Sequence, residues 1–249
     1  MLRLVLVVLA IALFLILTVP ILPILWLIGK RWPHARDIAS LRMVQWIFKV
    51  ICILAGTRVT VIGEDRIPRD QAVLYIGNHR SFFDVVITYA RCPSLTGYIA
   101  KKELAGIPLL SLWMKRLYCL FLDRQDIKAG LKTILTAIDY VKSGISIMIF
   151  PEGTRSKEAD ETELLPFHDG SFKVASKSGC PIIPVTISHT SSILEDHFPW
   201  IRAAHVIVEY GEPIDLGLLT GDDRKFPGRY VRSVIQQTLI KNQKLIMNE

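Results

Sequence analysis

Tyr75-Ile76-Gly77-Asn78-His79-Arg80-Ser81-Phe82-Phe83-Asp84 is the stretch on which the reading of this chain turns. The apolar run from Ala72 to Ile76 predicts a short buried strand, and Ser81 followed three residues later by Asp84 predicts a capping box opening a helix. His79 then falls in the turn between them. There an imidazole and a carboxylate five residues apart can face each other, as they could not on one regular helix. Two readings follow. Either Asp84 orients the imidazole so that its other nitrogen takes a proton, or Asp84 serves only the amides of the helix start. The stretch alone leaves both open.

Outward from this stretch, composition narrows the field. The 249 residues are 51% hydrophobic, enough to bury a core for one αβ domain and something smaller. A mean hydropathy of +0.36 is high, and the excess lies at the N-terminus. The net charge of +7 points to an anionic partner without choosing among nucleic acid, lipid, a phosphorylated substrate or an acidic carrier protein. Cys52, Cys92, Cys119 and Cys180 stand singly and read as reduced, packed thiols. No metal is expected, since His168, His189, His197 and His205 show no ligand spacing with His79 or with one another and read as structural or surface residues.

Leu4 to Ile28 is uncharged and rich in Leu, Ile and Val, the pattern of a membrane segment, but Pro20 and Pro23 interrupt it. A kinked span and a helix embedded in one leaflet both fit. Lys30, Arg31, Arg36 and Arg42 follow, so the positive-inside rule places the rest of the chain on the cytoplasmic face of the cell membrane. Leu41 to Leu54 reads as an interfacial helix with snorkelling cations or as a core helix of the next domain. Residues 1–55 are thus expected to form a two-helix anchoring segment and residues 56–249 a single α/β domain, a mixed sheet with flanking helices.

Within that domain strands are predicted at Thr57 to Ile62, Leu95 to Ala100, Leu117 to Leu122, Ile145 to Phe150, Pro181 to Ile187 and His205 to Tyr210. Asp126 is expected to cap a helix whose core face carries Ile127, Leu131, Ile134, Leu135, Ile138 and Val141, stopped by Gly144, and Tyr230 to Leu245 is expected to be a terminal helix. Lys157 to Glu163 reads as a solvated acidic loop. Cations recur at strand ends, which makes Lys101 and Arg124 candidates for one anion site. Glu152-Gly153-Thr154-Arg155 follows another strand, with a glycine that lets amides approach an anion and an arginine fork suited to phosphate. There is no Walker loop and no Gly-x-Gly-x-x-Gly.

Four groups of residues stand in order: His79-x4-Asp84; Lys101 to Leu104 with Pro108 and Asp123-Arg124; Phe150 to Ser156; and Ile182-Ile183-Pro184-Val185. In this the chain resembles the glycerolipid acyltransferase family from about Gly56 to Tyr210, most of all its bacterial 1-acylglycerol-3-phosphate members. Two features depart from the pattern: Tyr118-Cys119 where relatives often carry Gly, and a longer acidic loop after Ser156.

The resemblance implies acyl transfer from a thioester, acyl-CoA or acyl carrier protein, to the free hydroxyl of 1-acylglycerol 3-phosphate (lysophosphatidic acid), giving phosphatidic acid in phospholipid biosynthesis. It implies no cofactor beyond the thioester co-substrate. His79 becomes the general base and Asp84 its orienter, with Lys101, Arg124, Gly153, Thr154 and Arg155 around the acceptor phosphate and Glu152 orienting one of those cations. Alternatives are another acceptor, glycerol 3-phosphate or a lysophospholipid, or a non-catalytic membrane-tethered binding module. Nucleic acid is disfavoured as a partner, because the cations gather at strand ends and are not interleaved with aromatics along one face.

Overall fold

The computed structural model describes residues 1–247. Three helices come first: α1 (Leu2–Leu17), α2 (Ile21–Arg31) and α3 (Pro33–Ala55). The remainder runs β1 (Arg58–Ile62), β2 (Leu74–Gly77), α4 (Phe82–Tyr89), β3 (Thr96–Lys101), α5 (Pro108–Arg116), β4 (Leu120–Leu122), α6 (Ile127–Lys142), β5 (Ser146–Ile149), α7 (Lys173–Ser178), β6 (Ile182–Ser188), β7 (His205–Tyr210), α8 (Gly221–Lys225) and α9 (Pro227–Met247). The seven strands form one sheet in the order β1-β7-β6-β2-β5-β3-β4. Five of them are parallel; β7 pairs antiparallel with β6, and β1 runs parallel to β7. β2, β5 and β6 are buried along their whole length, which explains why they read as unbroken apolar runs.

One hydrophobic core lies on each face of the sheet. On the first, Phe83, Ile87 and Tyr89 of α4 and Trp113 of α5 pack with Leu41, Val44, Ile47 and Ile51 of α3. On the second, Ala137, Ile138 and Val141 of α6 pack with Val231, Ile235 and Leu239 of α9. The N-terminal helices therefore share a core with the sheet. Buried Gln45 joins α3 to α4, its Nε2 donating to the carbonyls of Cys92 at 2.7 Å and Tyr89 at 3.4 Å.

The first apolar run breaks at Thr18–Pro20, and α1 and α2 meet at a bend of 55°. α3 starts earlier than the second run, with Pro33 in its first turn, and its 23 residues are long and apolar enough to cross a membrane. Much of α1 and α2 is exposed and apolar, including Val5, Leu9, Leu13, Ile16, Ile24 and Trp26.

Pro108 opens α5, in a stretch to which the sequence reading assigns no element. Two expectations are corrected. β4 starts only at Leu120, because Tyr118 turns into the left-handed region at φ 60°. That conformation costs roughly 1–2 kcal/mol outside glycine and is the physical reason a glycine suits this position. Here the Tyr118 hydroxyl donates to Oδ2 of Asp37 in α3 at 2.5 Å, and its ring stands edge-on to Tyr140. On α6 only Ile138 and Val141 of the expected core face are buried and Ile134 is partly so, whereas Ile127, Leu131 and Leu135 are 87%, 53% and 52% exposed.

Candidate active site

His79 stands just past the C-terminal end of β2, and the loops after its two neighbours, β5 and β6, close around it. The turn is held locally. Gly77 gives a close fit here, since a Cβ would lie 2.7 Å from the Met148 methyl and 3.3 Å from the Val185 carbonyl. The buried Asn78 side chain exchanges two 2.8 Å hydrogen bonds with the backbone of Ile187, extending the contact between β2 and β6 beyond Gly77. Ser81 caps α4 as expected, its hydroxyl accepting from the Phe83 amide.

Nδ1 of His79 lies 2.8 Å from Oδ2 of Asp84. The same oxygen accepts the amides of Arg80 at 2.7 Å and Ser81 at 2.8 Å. Thus Asp84 closes the capping box while it also bonds the imidazole. Its second oxygen accepts the Thr190 hydroxyl at 2.5 Å, so a carboxylate only 1% exposed has both oxygens engaged. Because the carboxylate accepts at Nδ1, that nitrogen carries the hydrogen, and Nε2 is left as the basic one. Nε2 makes no hydrogen bond among the described residues. The imidazole stacks on Phe150, with centroids 4.3 Å apart and planes within 17°.

The loop after β5 grips the His79 backbone from both sides. The His79 amide donates to Oε1 of Glu152 at 2.8 Å, and its carbonyl accepts the Ser156 amide at 2.7 Å. Glu152 is therefore not the partner of a cation. It is 4% exposed, its other oxygen accepts the Leu165 amide, and burial pushes its carboxyl above the ordinary value against the pull of these amides.

Nor is the acidic loop that follows simply solvated. Arg80, itself buried, donates to the carbonyls of Glu158 and Asp160, and Glu161 accepts the His189 amide. Burial raises the Glu161 carboxyl as well.

The candidate anion residues fall into two groups. Arg124, just past β4, reaches back over Gly153, where an added Cβ would be 3.3 Å from the guanidinium carbon and from the His168 ring. Gly153 also has φ 74°, so a side chain there would be both crowded and strained. His168 is exposed, as read, but its ring lies against Gly153. Lys101 ends β3, in register with Leu122 of β4, and is exposed; Lys102 beside it pairs with Asp123 at 2.8 Å. Arg155 sits apart from these: it donates to Glu195 at 2.9 Å and its guanidinium lies 3.8 Å over the Phe82 ring. Glu195 also accepts the Phe82 amide at 2.9 Å. Thr154 is exposed between the groups. Among the described residues no cluster of three or more His, Cys, Asp or Glu side chains is placed to hold a metal.

Thr190, Glu195 and Arg80 escaped the sequence reading. Thr190 lies 106 residues from Asp84, and Glu195 lies 113 from Phe82 and 40 from Arg155, so no local pattern marks them.

Residues 58–188, more than half of the chain, match the Acyltransferase family. The chain belongs to the Acyltransferase family. Among curated proteins it is 33% identical over 172 residues to the 1-acyl-sn-glycerol-3-phosphate acyltransferase of Escherichia coli, covering 69% of this chain and 68% of that one. The protein of the same name from Saccharomyces cerevisiae is 31% identical over 191 residues, covering 74% of this chain and 62% of its own length. Among solved structures, the 1-acyl-sn-glycerophosphate (LPA) acyltransferase PlsC of Thermotoga maritima superposes with a TM-score of 0.77 over 96% of both chains at 22% identity, a likeness of fold that extends to this acyltransferase's N-terminal helices.

Proposed function

We propose that the protein transfers an acyl chain from a thioester, acyl-CoA or acyl carrier protein, to the free hydroxyl of 1-acylglycerol 3-phosphate, releasing phosphatidic acid. The observation that carries this reading is the His79–Asp84 pair at 2.8 Å with Nε2 unbonded beside a cation-lined turn. Relatives that bear the name of this reaction support it.

The acceptor hydroxyl gives its proton to Nε2 of His79 as its oxygen attacks the thioester carbonyl. Asp84 holds the tautomer and faces the imidazolium that forms. The C–S bond breaks, and the departing sulfur takes the proton back from His79. No enzyme nucleophile is needed, because the acceptor supplies one. The first amides of α4 are already bonded, Phe82 to Glu195 and Phe83 to Ser81. Binding of negative charge is thus left to Arg124, Lys101 and the Gly153–Arg155 turn.

Residues 1–55 serve as a hydrophobic anchor that keeps the acceptor's tail in the bilayer, with residues 56–249 as the catalytic unit on the cytoplasmic face. The exposed apolar sides of α1 and α2 and the cations that follow them support this.

Purified enzyme offered acyl-CoA or acyl carrier protein with lysophosphatidate, glycerol 3-phosphate or a lysophospholipid tests the reading. Lysophosphatidate is expected to give the highest kcat/KM, and folded His79→Ala to lose at least about 100-fold in kcat. Near-normal turnover in that variant rules out the mechanism, and preference for another acceptor rules out the substrate.

A further inference from the structure

A groove of about 630 Å³ lies between α1 and α3. Its walls are apolar, chiefly Leu13, Phe14 and Leu17 of α1 and Met43, Trp46 and Ile47 of α3. Thr18 and Arg42 also line it, and no acidic side chain does. The volume lies within the usual range for small-molecule sites. From Arg42 to Val50 the wall of α3 extends roughly 12 Å at the helical rise.

Arg42 is held in place. Its guanidinium donates one N–H to Oε1 of Gln45 at 2.8 Å, and Gln45, only 3% exposed, is in turn fixed by the carbonyls that end α4. The other guanidinium N–H groups make no hydrogen bond among the described residues. Residues 1–55 carry six Lys and Arg side chains and one acid, Asp37, which is already taken by Arg36 and Tyr118. A fixed guanidinium with open donors at one apolar trough calls for an amphiphile that carries an anionic head and an apolar tail.

We infer that this groove binds one anionic phospholipid, an acyl chain between α1 and α3 and its phosphate on Arg42. The site shares no lining residue with the catalytic turn. It rests on the reading of these helices as a membrane anchor. A second copy of the chain or a partner helix would fill the walls but would leave the open donors of Arg42 without an anion.

The test uses full-length enzyme, with Arg42→Gln to remove the charge and Leu13→Trp to fill the groove from its exposed lip. Flotation with phosphatidylcholine vesicles first reports the anchor. Phospholipid retained per chain after extraction into mild detergent from mixed phosphatidylcholine and phosphatidylglycerol vesicles, measured by native mass spectrometry, then reports the groove.

All three proteins are expected to float. Wild type is expected to retain about one phosphatidylglycerol. Leu13→Trp should retain none, and Arg42→Gln should lose roughly tenfold of the preference for phosphatidylglycerol over phosphatidylcholine. If wild type does not float, the anchor and with it the groove site are wrong. If it floats but retains no phospholipid, or Arg42→Gln keeps the same preference, the anchor stands and the groove site is wrong. A wild-type dimer that Leu13→Trp converts to monomer, without bound lipid, assigns the groove to a second copy instead.

Discussion

Thr190 donates its hydroxyl to Oδ1 of Asp84 at 2.5 Å, from the loop that follows the strand beside His79. With Oδ2 shared by the imidazole and two amides, this bond is what fixes the rotation of the carboxylate plane. Hydrogen bonds to charged groups contribute about 1.5–3 kcal/mol, so Thr190→Val should lower kcat roughly 10- to 100-fold with little change in KM. Thr190→Ser should restore most of it. Equal losses in Thr190→Ser and Thr190→Val, or a loss confined to KM, would show that Thr190 acts otherwise.

The two cation groups predict separable kinetics. Arg124→Ala and Arg155→Ala are each expected to raise KM for lysophosphatidate several-fold, and more than KM for the acyl donor. Arg155 is already engaged by Glu195 and Phe82, so Arg155→Ala should also lower the melting temperature, whereas exposed Arg124 should leave it unchanged. A donor-only effect for either arginine would reassign it.

Glu152 carries the pH prediction. Its carboxyl is raised above 4.5 by burial, so the folded chain holds that proton more tightly than the unfolded chain. The contribution to stability is whole below about 4.5 and is lost as pH rises through the folded value. Denaturation of wild type and Glu152→Gln across pH should therefore show the difference moving in favour of Gln as pH rises from there, then levelling. Glu161 shifts in the same direction but is common to both proteins and cancels. Parallel curves would contradict the assignment. Activity should fall roughly tenfold in Glu152→Gln, because an amide has one acceptor oxygen for the two amides of His79 and Leu165.

A fourth prediction concerns membrane retention. The protein should stay with membranes through high-salt or carbonate washing and leave only with detergent. Exposed charge pairs are screened within about 8–10 Å at physiological ionic strength, whereas apolar side chains taken into lipid contribute about 1.5–3 kcal/mol each regardless of salt. Leu9→Glu with Ile16→Glu, on the exposed side of α1, should release a large share of the protein into the wash. These substitutions are a cleaner probe than deletion of the whole segment, which would strip Val44, Ile47 and Ile51 from the core. Release of wild type by salt alone would exclude hydrophobic anchoring.

What the sequence made legible was local. Ser81 and Asp84 signal their capping box three residues apart, and the buried strands announce themselves by unbroken apolar runs because both faces of the sheet are covered. Glu152 is assigned to a cation only through the family resemblance, yet two backbone amides claim it. The face of α6 was overdrawn for a different reason. Periodicity reports which residues share a side, but not how much of that side the rest of the fold covers. Tyr118 was visible only as a missing glycine, and the hydroxyl bond to Asp37 that accompanies its left-handed backbone spans 81 residues.

The reversed pair β7 and β1 decides where the chain passes from α3 into the sheet. Had β1 run with the other strands, α3 would have delivered the chain to the opposite rim of the sheet. Reversed, it brings Arg58 beside Ala204 and His205, and His205 accepts from His189, the residue before Thr190. The exit of α3 thus lies about two strand spacings, some 10 Å, from the support of Asp84. A glycerol hydroxyl is only a few bonds from its own acyl tail. With the proposed tether and base on one rim, the proposed acceptor would present that hydroxyl while its hydrocarbon stays immersed, and the leaflet itself would act as the jig for the reaction.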